Sequence, residues 1–325
     1  MSTLIIKNLS KTYSNGTQAL KKVNLTINTG MYGLLGPNGA GKSTLMRTIA
    51  TLQEADEGSV FFDNLDVLKE KHEVRKILGF LPQEFDVYPK STPVELLDHL
   101  AILKGIINSR IRRETIAYLL ERTNLSHVKN KHLGGFSGGM KQRFGIAQAL
   151  LGNPKIIIVD EPTAGLDPEE RFRCLNILAE LGENIIVILS THIVEDVTEM
   201  CNNMAIINLG ETLIEDNPEV VLNKLKGKIW KKVIDKNEVE TFSQKYNVLS
   251  TVMYMGNIQT HVYSENEPDI SGFTAVEPNL RDAYFYFIRH NRTDGVSPST
   301  VAAISDRHLN GETPSVQNGE TPSVH

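Results

Sequence analysis

Residues 31–52 read MYGLLGPNGAGKSTLMRTIATL. An apolar stretch of strand length leads into a glycine-rich loop and then into helical spacing. The loop, GPNGAGKS at 36–43, matches G-x-x-x-x-G-K-[ST] in the strand–turn–helix setting that its mechanism demands. Glycines there let the backbone wrap tightly, so consecutive N–H groups point at phosphate oxygens. In that role Lys42 reaches the β- and γ-phosphates of a nucleotide, and the Ser43 hydroxyl holds Mg²⁺. Gly36, Pro37, Asn38, Gly39, Ala40, Gly41, Lys42, Ser43 and Thr44 are therefore the expected phosphate cradle, and the fold expected around them is an α/β P-loop core.

The matching acid lies downstream. IIIVDEP at 156–162 is a buried apolar run that delivers Asp160 to a strand's C-terminal edge, where α/β proteins bind ligands. Asp160 suits Mg²⁺ coordination from behind the loop, and Glu161 is placed to polarise the attacking water. NIIVIL at 184–189 is a second such run, and flanking helical stretches such as EERFRCLNILAELG predict parallel strands covered on both faces. Upstream, TLIIKNLSKTY (3–13), VNLTIN (23–28) and SVFFDNLDV (59–67) read as short strands between turns. From Thr92 to about Asn124 the spacing turns helical, opening with Pro93 in a first turn.

A second glycine site follows: GGFSGGMKQR at 134–143. A serine hydroxyl, free N–H groups and a helix N-terminus suit an anion. Yet one nucleotide needs only one phosphate loop, so the second site calls for a different ligand.

In the order of these motifs, residues 3–215 resemble the nucleotide-binding subunit of an ATP-binding cassette (ABC) transporter. The resemblance identifies 134–143 as the family's signature, usually LSGGQ. It implies that two cassettes pair head to tail, with ATP on one loop capped by Ser137, Gly138 and Gly139 of the other. It further implies that adenine stacks on Tyr13, that Gln83 in GFLPQEF contacts Mg²⁺ or water, and that His192 in ILSTH contacts the γ-phosphate. Asp167 in AGLD belongs to the D-loop near the dimer interface. Phe136 stands for the common leucine, Met140 for glutamine and Ala164 for a frequent serine. The SGGM form resembles bacterial export-type cassettes. The implied partners are an integral membrane permease and a second cassette, with ATP and Mg²⁺ as ligands, at the cytoplasmic face of the membrane. The resemblance also implies an antiparallel β subdomain from the early strands and a helical subdomain over about 92–150, which with the Q-loop would form the groove for a permease helix.

Bulk properties agree with that class. Of 325 residues, 40% are hydrophobic and 22% charged, ordinary for a globular chain. A net charge of −5 gives no basic surface for nucleic acid. No apolar run reaches the roughly 18–20 residues of a bilayer span, and the N-terminus lacks a signal-peptide pattern. Two cysteines, Cys174 and Cys201, argue against a disulfide framework. The rival class is a soluble ABC ATPase of translation or DNA repair. Those usually carry two cassettes, or coiled-coil or zinc insertions, and this chain has no heptad run or zinc-type cysteine spacing.

Three domains are expected: a cassette over 1–217, an accessory α+β region over 218–290, and a disordered tail over 291–325. The accessory region has strands in KIWKKVIDK, NVLSTVMYM and IQTHVYS, a helix at 238–246 and a closing helix at 278–290. Its ending, VEPNLRDAYFYF, resembles that of export-type cassettes, and Tyr284, Phe285, Tyr286 and Phe287 are expected to pack the small region. The tail carries a tandem repeat, NGETPSVQ then NGETPSVH.

Overall fold

The structure, a computed structural model, describes residues 2–290; the expected tail lies outside the described residues. The described residues form two compact units, 2–226 with 278–288, and 227–277 with 289 and 290.

The first unit begins with Thr3–Thr12 (β1), Gln18–Asn28 (β2), Gly30–Leu35 (β3) and Lys42–Ile49 (α1). Glu57–Phe62 (β4), Leu65–Asp66 (β5), Lys71–Ile77 (α2) and Leu78–Leu81 (β6) follow. The helical stretch holds Pro93–Leu103 (α3), Ser109–Arg122 (α4) and Gly138–Ala149 (α5). Ile156–Asp160 (β7), Pro168–Gly182 (α6), Ile186–Thr191 (β8) and Val194–Met200 (α7) come next, then Asn203–Asn208 (β9), Glu211–Asp216 (β10) and Pro218–Asn223 (α8).

One sheet has the order β2-β1-β4-β5, all antiparallel. Its strands alternate buried and exposed residues, as β2 does from Val23 to Asn28, because one face is covered and the other meets water. The second sheet runs β10-β9-β3-β8-β7-β6. In it β3, β7, β8, β6 and β9 are parallel and only β10 is reversed. Every residue of β7 and β8 is buried, as parallel strands covered on both faces require. Leu4, Ile6, Leu25, Leu34, Leu45, Met46, Ile158 and Ile188 belong to one core that joins both sheets to α1. Thr92 and Glu95 form a reciprocal cap with Pro93 at the first turn of α3, so that helix starts where its sequence says. No helix among the described residues is long and apolar enough to cross a membrane.

β6 lies close against α5. A Cβ at Gly79 would sit 2.1 Å from the Ala149 carbonyl oxygen. Gly79→Ala must push strand and helix apart, at a cost of about 1–3 kcal/mol. We expect a melting temperature lower by about 2–4 °C for each kcal/mol. An unchanged thermal melt would overturn this close packing.

The second unit contains Ile229–Ile234 (β11), Val239–Lys245 (α9), Asn247–Tyr254 (β12), Asn257–Tyr263 (β13) and Thr274–Ala275 (β14). These strands form an antiparallel sheet, β12-β13-β11-β14. Met255 and Gly256, both at positive φ (48° and 86°), make the two-residue turn between β12 and β13. Leu280–His290 (α10) closes the described chain and is started by reciprocal bonds between Asn279 and Asp282, 3.1 and 3.0 Å.

Two boundaries differ from the sequence reading. The first unit extends to 226 rather than 217, because α8 and the turn after it pack with the cassette. Residues 278–288, with Tyr284, Phe285, Tyr286 and Phe287, group with the first unit. Within the second unit Phe242, Tyr246 and Phe273 pack together, with ring centroids 4.7–5.9 Å apart.

Candidate functional site

The phosphate loop leaves the end of β3 and enters α1. Its glycines are required by both space and dihedral. A Cβ at Gly36 would lie 2.3 Å from the Ile207 carbonyl oxygen, and Gly41 sits at φ 106° with the Ala19 oxygen 2.4 Å from a Cβ position. Neither place accepts a side chain. The loop is braced by Ala40 N–H to Pro37 O at 3.1 Å and Gly210 N–H to Ala40 O at 2.9 Å. Asn38 and Gly39 stay exposed.

Lys42 is buried, and its Nζ donates to the carbonyls of Gly36 (2.6 Å) and Pro37 (3.2 Å). Burial lowers it from the usual lysine range, and the charges of Glu161 and Asp160 oppose that shift. The Ser43 hydroxyl donates to Asp160 Oδ2 at 3.1 Å, which ties α1 to the end of β7. Burial pushes the Asp160 carboxyl up, and the Ser43 bond works against it. Thr44 is buried and shares its hydroxyl with Tyr13 Oη at 3.0 Å. Tyr13 Oη also donates to Gln53 Oε1 at 3.2 Å, which holds the partly exposed ring beside the loop.

Three strand ends converge on Glu161. Asp160 closes β7, and the next residue turns out of the strand at φ 49°, with its N–H on the Ser190 carbonyl at 2.9 Å. A left-handed glutamate is strained by about 1–2 kcal/mol, and such strain persists where surrounding structure enforces it. Glu161 Oε1 lies 3.0 Å from His192 Nδ1, one residue past β8. Its Oε2 accepts from Gln83 Nε2 at 3.1 Å, two residues past β6. The carboxylate thus has a neighbour at each oxygen, a hydrogen bond from Gln83 at one and a close contact with the His192 ring at the other.

The second glycine site is an exposed helix start. Ser137 is the N-cap of α5, and its hydroxyl accepts from Met140 N–H at 3.2 Å. Phe136 is buried beneath it. A Cβ at Gly138 would approach Leu166 at 3.9 Å, and one at Gly139 would strike the Glu170 side chain at 2.5 Å. The signature therefore abuts the D-loop and the first turn of α6, where Asp167 is the exposed N-cap accepting from Glu170 N–H at 2.9 Å. Its nearest groups are not those of residues 36–44.

Three residues were not legible in the motifs. Gln53 fixes Tyr13 and donates to Thr44 O at 3.1 Å. Arg143 is buried in α5, 3.5 Å from Glu170 Oε2. Asp196 is buried in α7 and accepts from Thr163, Arg171 and Thr191. For Asp196 a signal existed: an acid set between Val194 and Val197, both buried, just after His192.

The sequence matches the family model described as "ABC transporter" over residues 20–164. That span includes the phosphate loop, Gln83, the signature, Asp160 and Glu161, and excludes Tyr13, Asp167 and His192. The chain is 39% identical over 209 residues to YxlF, an uncharacterised ABC transporter ATP-binding protein of Bacillus subtilis, covering 64% of this chain and 68% of that one. The chain belongs to the ABC transporter ATP-binding family. It is also 33% identical over 227 residues to LptB, the lipopolysaccharide export system ATP-binding protein of Haemophilus influenzae, covering 69% and 94%. Methionine import ATP-binding proteins are among its relatives too. A solved ATP-binding cassette, dimeric in a post-hydrolysis state bound to ADP and Pi, matches with TM-score 0.60 and 31% identity over 66% of this chain and 98% of that one. As a member of this family the chain is an ATP-binding ATPase of the α/β P-loop cassette fold.

Proposed function

We propose that this ABC cassette powers export through a separate membrane permease, two cassettes closing over ATP and reopening after hydrolysis. The observation that carries the catalytic reading is the Glu161 carboxylate held between Gln83 and His192, beside the Ser43–Asp160 pair. In this reading Glu161 is the general base. Residues 36–44 bind the phosphates, with Lys42 on the β- and γ-phosphates, and Tyr13 stacks on adenine. His192 contacts the γ-phosphate.

Among the described residues no group of three His, Cys, Asp or Glu side chains could hold a metal. Mg²⁺ fits that sparseness, since it is held by few protein oxygens together with substrate phosphates and water. Ser43, Gln83 and Asp160 would supply them: Gln83 turns its amide nitrogen to Glu161, which leaves its carbonyl oxygen as an acceptor. Bound Mg²⁺ would neutralise charge on the phosphates.

Ser137, Gly138 and Gly139, exposed or at a helix start beside Asp167, would cap the ATP of a second cassette. The exposed apolar residues Ile102, Leu103 and Tyr88 of the helical stretch and the Q-loop region support docking of a permease at the cytoplasmic membrane face. The SGGM signature and the closing VEPNLRDAYFYF support export over import, and LptB, an export-system protein, is among the relatives, as are the methionine import proteins.

Mixing two variants tests the trans arrangement. Ser137→Arg places a bulky cation where the partner's γ-phosphate must meet N–H groups, and Lys42→Ala disables the loop. Each should be inactive alone. In a mixed dimer one composite site has both Lys42 and Ser137 intact. We expect an equimolar mixture to regain up to about a quarter of wild-type ATPase activity, since half the two-fold dimers are mixed and each has one good site. No recovery from two folded, ATP-driven pairs would overturn the arrangement.

A further inference from the structure

Asp196 is 0% exposed, in the first turn of α7. Its Oδ2 accepts from Thr163 Oγ1 at 2.7 Å and from Thr191 Oγ1 at 3.4 Å, and its Oδ1 from Arg171 Nε at 2.7 Å. The three donors come from three segments of the site. Thr163 is buried two residues beyond Glu161. Thr191 ends β8 directly before His192, and its hydroxyl also accepts from Ile193 N–H at 2.9 Å. Arg171 belongs to α6, and its backbone N–H reaches the carbonyl of the N-cap Asp167 at 2.9 Å. A carboxylate shut away from water is tolerated only when its bonds are made, so these donors must hold their places together.

The need for such a brace is visible one step away. Glu161 stands at φ 49°, and its contact with His192, 3.0 Å long, sits where the ends of β7 and β8 meet. We propose that Asp196 is a positioning residue for ATP hydrolysis: by bonding Thr163, Thr191 and Arg171 at once, it sets Glu161, His192 and the Asp167 end of α6 in one register. The proposal rests on the reading of Glu161 as general base. It also makes a mechanical statement: a shift at the start of α6, where the partner's ATP would be capped, reaches Glu161 and His192 through one buried carboxylate.

The test uses the full-length chain with Asp196→Asn and, because a buried site can fail to fold, also Thr163→Val, which removes one donor and keeps the shape. Affinity for a non-hydrolysable ATP analogue, single-turnover hydrolysis per bound nucleotide and thermal melting are read for each. A misplacement of about 1 Å at a reacting group costs up to about 10²-fold. We expect hydrolysis per bound nucleotide to fall about 10–100-fold with analogue affinity little changed, Thr163→Val falling less than Asp196→Asn. In a Glu161→Gln background the same substitutions should cause a clearly smaller further loss, since one of the groups they position is gone. Hydrolysis at the wild-type rate per bound nucleotide, even with a lowered melting temperature, would reduce Asp196 to a fold-holding part and overturn the proposal. An equal loss in both backgrounds would overturn it as well. Wild-type turnover by Glu161→Gln alone would instead sink the underlying assignment of the base, and is read separately.

Discussion

Glu161→Gln is expected to bind ATP and hydrolyse it about 10²–10⁴-fold more slowly than the wild type, the range set by losing a positioned general base. The substitution preserves length and shape, so β7 and the turn after it should keep their form. What changes is basicity and acceptor count. Oε2 of Glu161 now accepts from Gln83 Nε2, and Oε1 lies 3.0 Å from His192 Nδ1. A carboxamide offers one acceptor oxygen and an NH₂, so either the NH₂ faces the Gln83 amide nitrogen or it faces the His192 ring. The phosphate loop is untouched, and ATP binding should persist. Slow hydrolysis with intact binding should trap the closed state, since closure depends on ATP and reopening on its loss. Phosphate release by the purified variant, measured beside nucleotide binding, decides the matter. Turnover near wild type would remove Glu161 from the chemistry.

Lys42→Ala is expected to abolish measurable ATPase activity and to weaken ATP more than a nucleotide without the γ-phosphate. Nζ sits in the curl of the loop, on the carbonyls of Gly36 and Pro37, close enough to Asp160 and Glu161 to feel both charges. Removing it withdraws the only cation named in the loop and leaves two carbonyls without their donor. A hydrogen bond to a charged group contributes about 1.5–3 kcal/mol, hence roughly 10–100-fold in affinity. Calorimetry with ATP and ADP would measure the difference. Equal losses for both would displace Lys42 from the γ-phosphate.

How far the sequence led depended on how local each signal was. The phosphate loop, the ends of β7 and β8 and the Ser137 cap are written in contiguous residues, because a tight turn needs glycines and a buried strand needs an apolar run. β6 has four residues, and β9 and β10 are short runs that form only by pairing with β3 and with each other, so their spacing is faint. The meeting of Gln83 and His192 on Glu161 joins positions 78 and 31 residues apart, a product of strand order that no short pattern encodes. Asp196 was missed for a related reason: an acid on an amphipathic turn usually faces water, and only the fold reveals that this one does not. The closing helix was placed correctly in the chain but assigned to the wrong unit, since an apolar stripe shows that a helix packs and not against what.

That helix has a thermodynamic consequence. The chain leaves the first unit after 226 and comes back at 278, so about fifty residues form an excursion closed at both ends. An unstructured loop of that size would cost about 3–4 kcal/mol in chain entropy to close. Here β11 and β14 pair Trp230 with Ala275, so the excursion's own sheet brings its two ends together and little of that cost falls on α10. The Arg281–Glu195 pair, roughly half exposed on each side, contributes about 0–1 kcal/mol, and burial of Leu280 about 1.5–3 kcal/mol. Residues 278–288 thus rejoin the first unit at small entropic cost, and amide exchange in α10 should follow the openings of the first unit rather than those of the second.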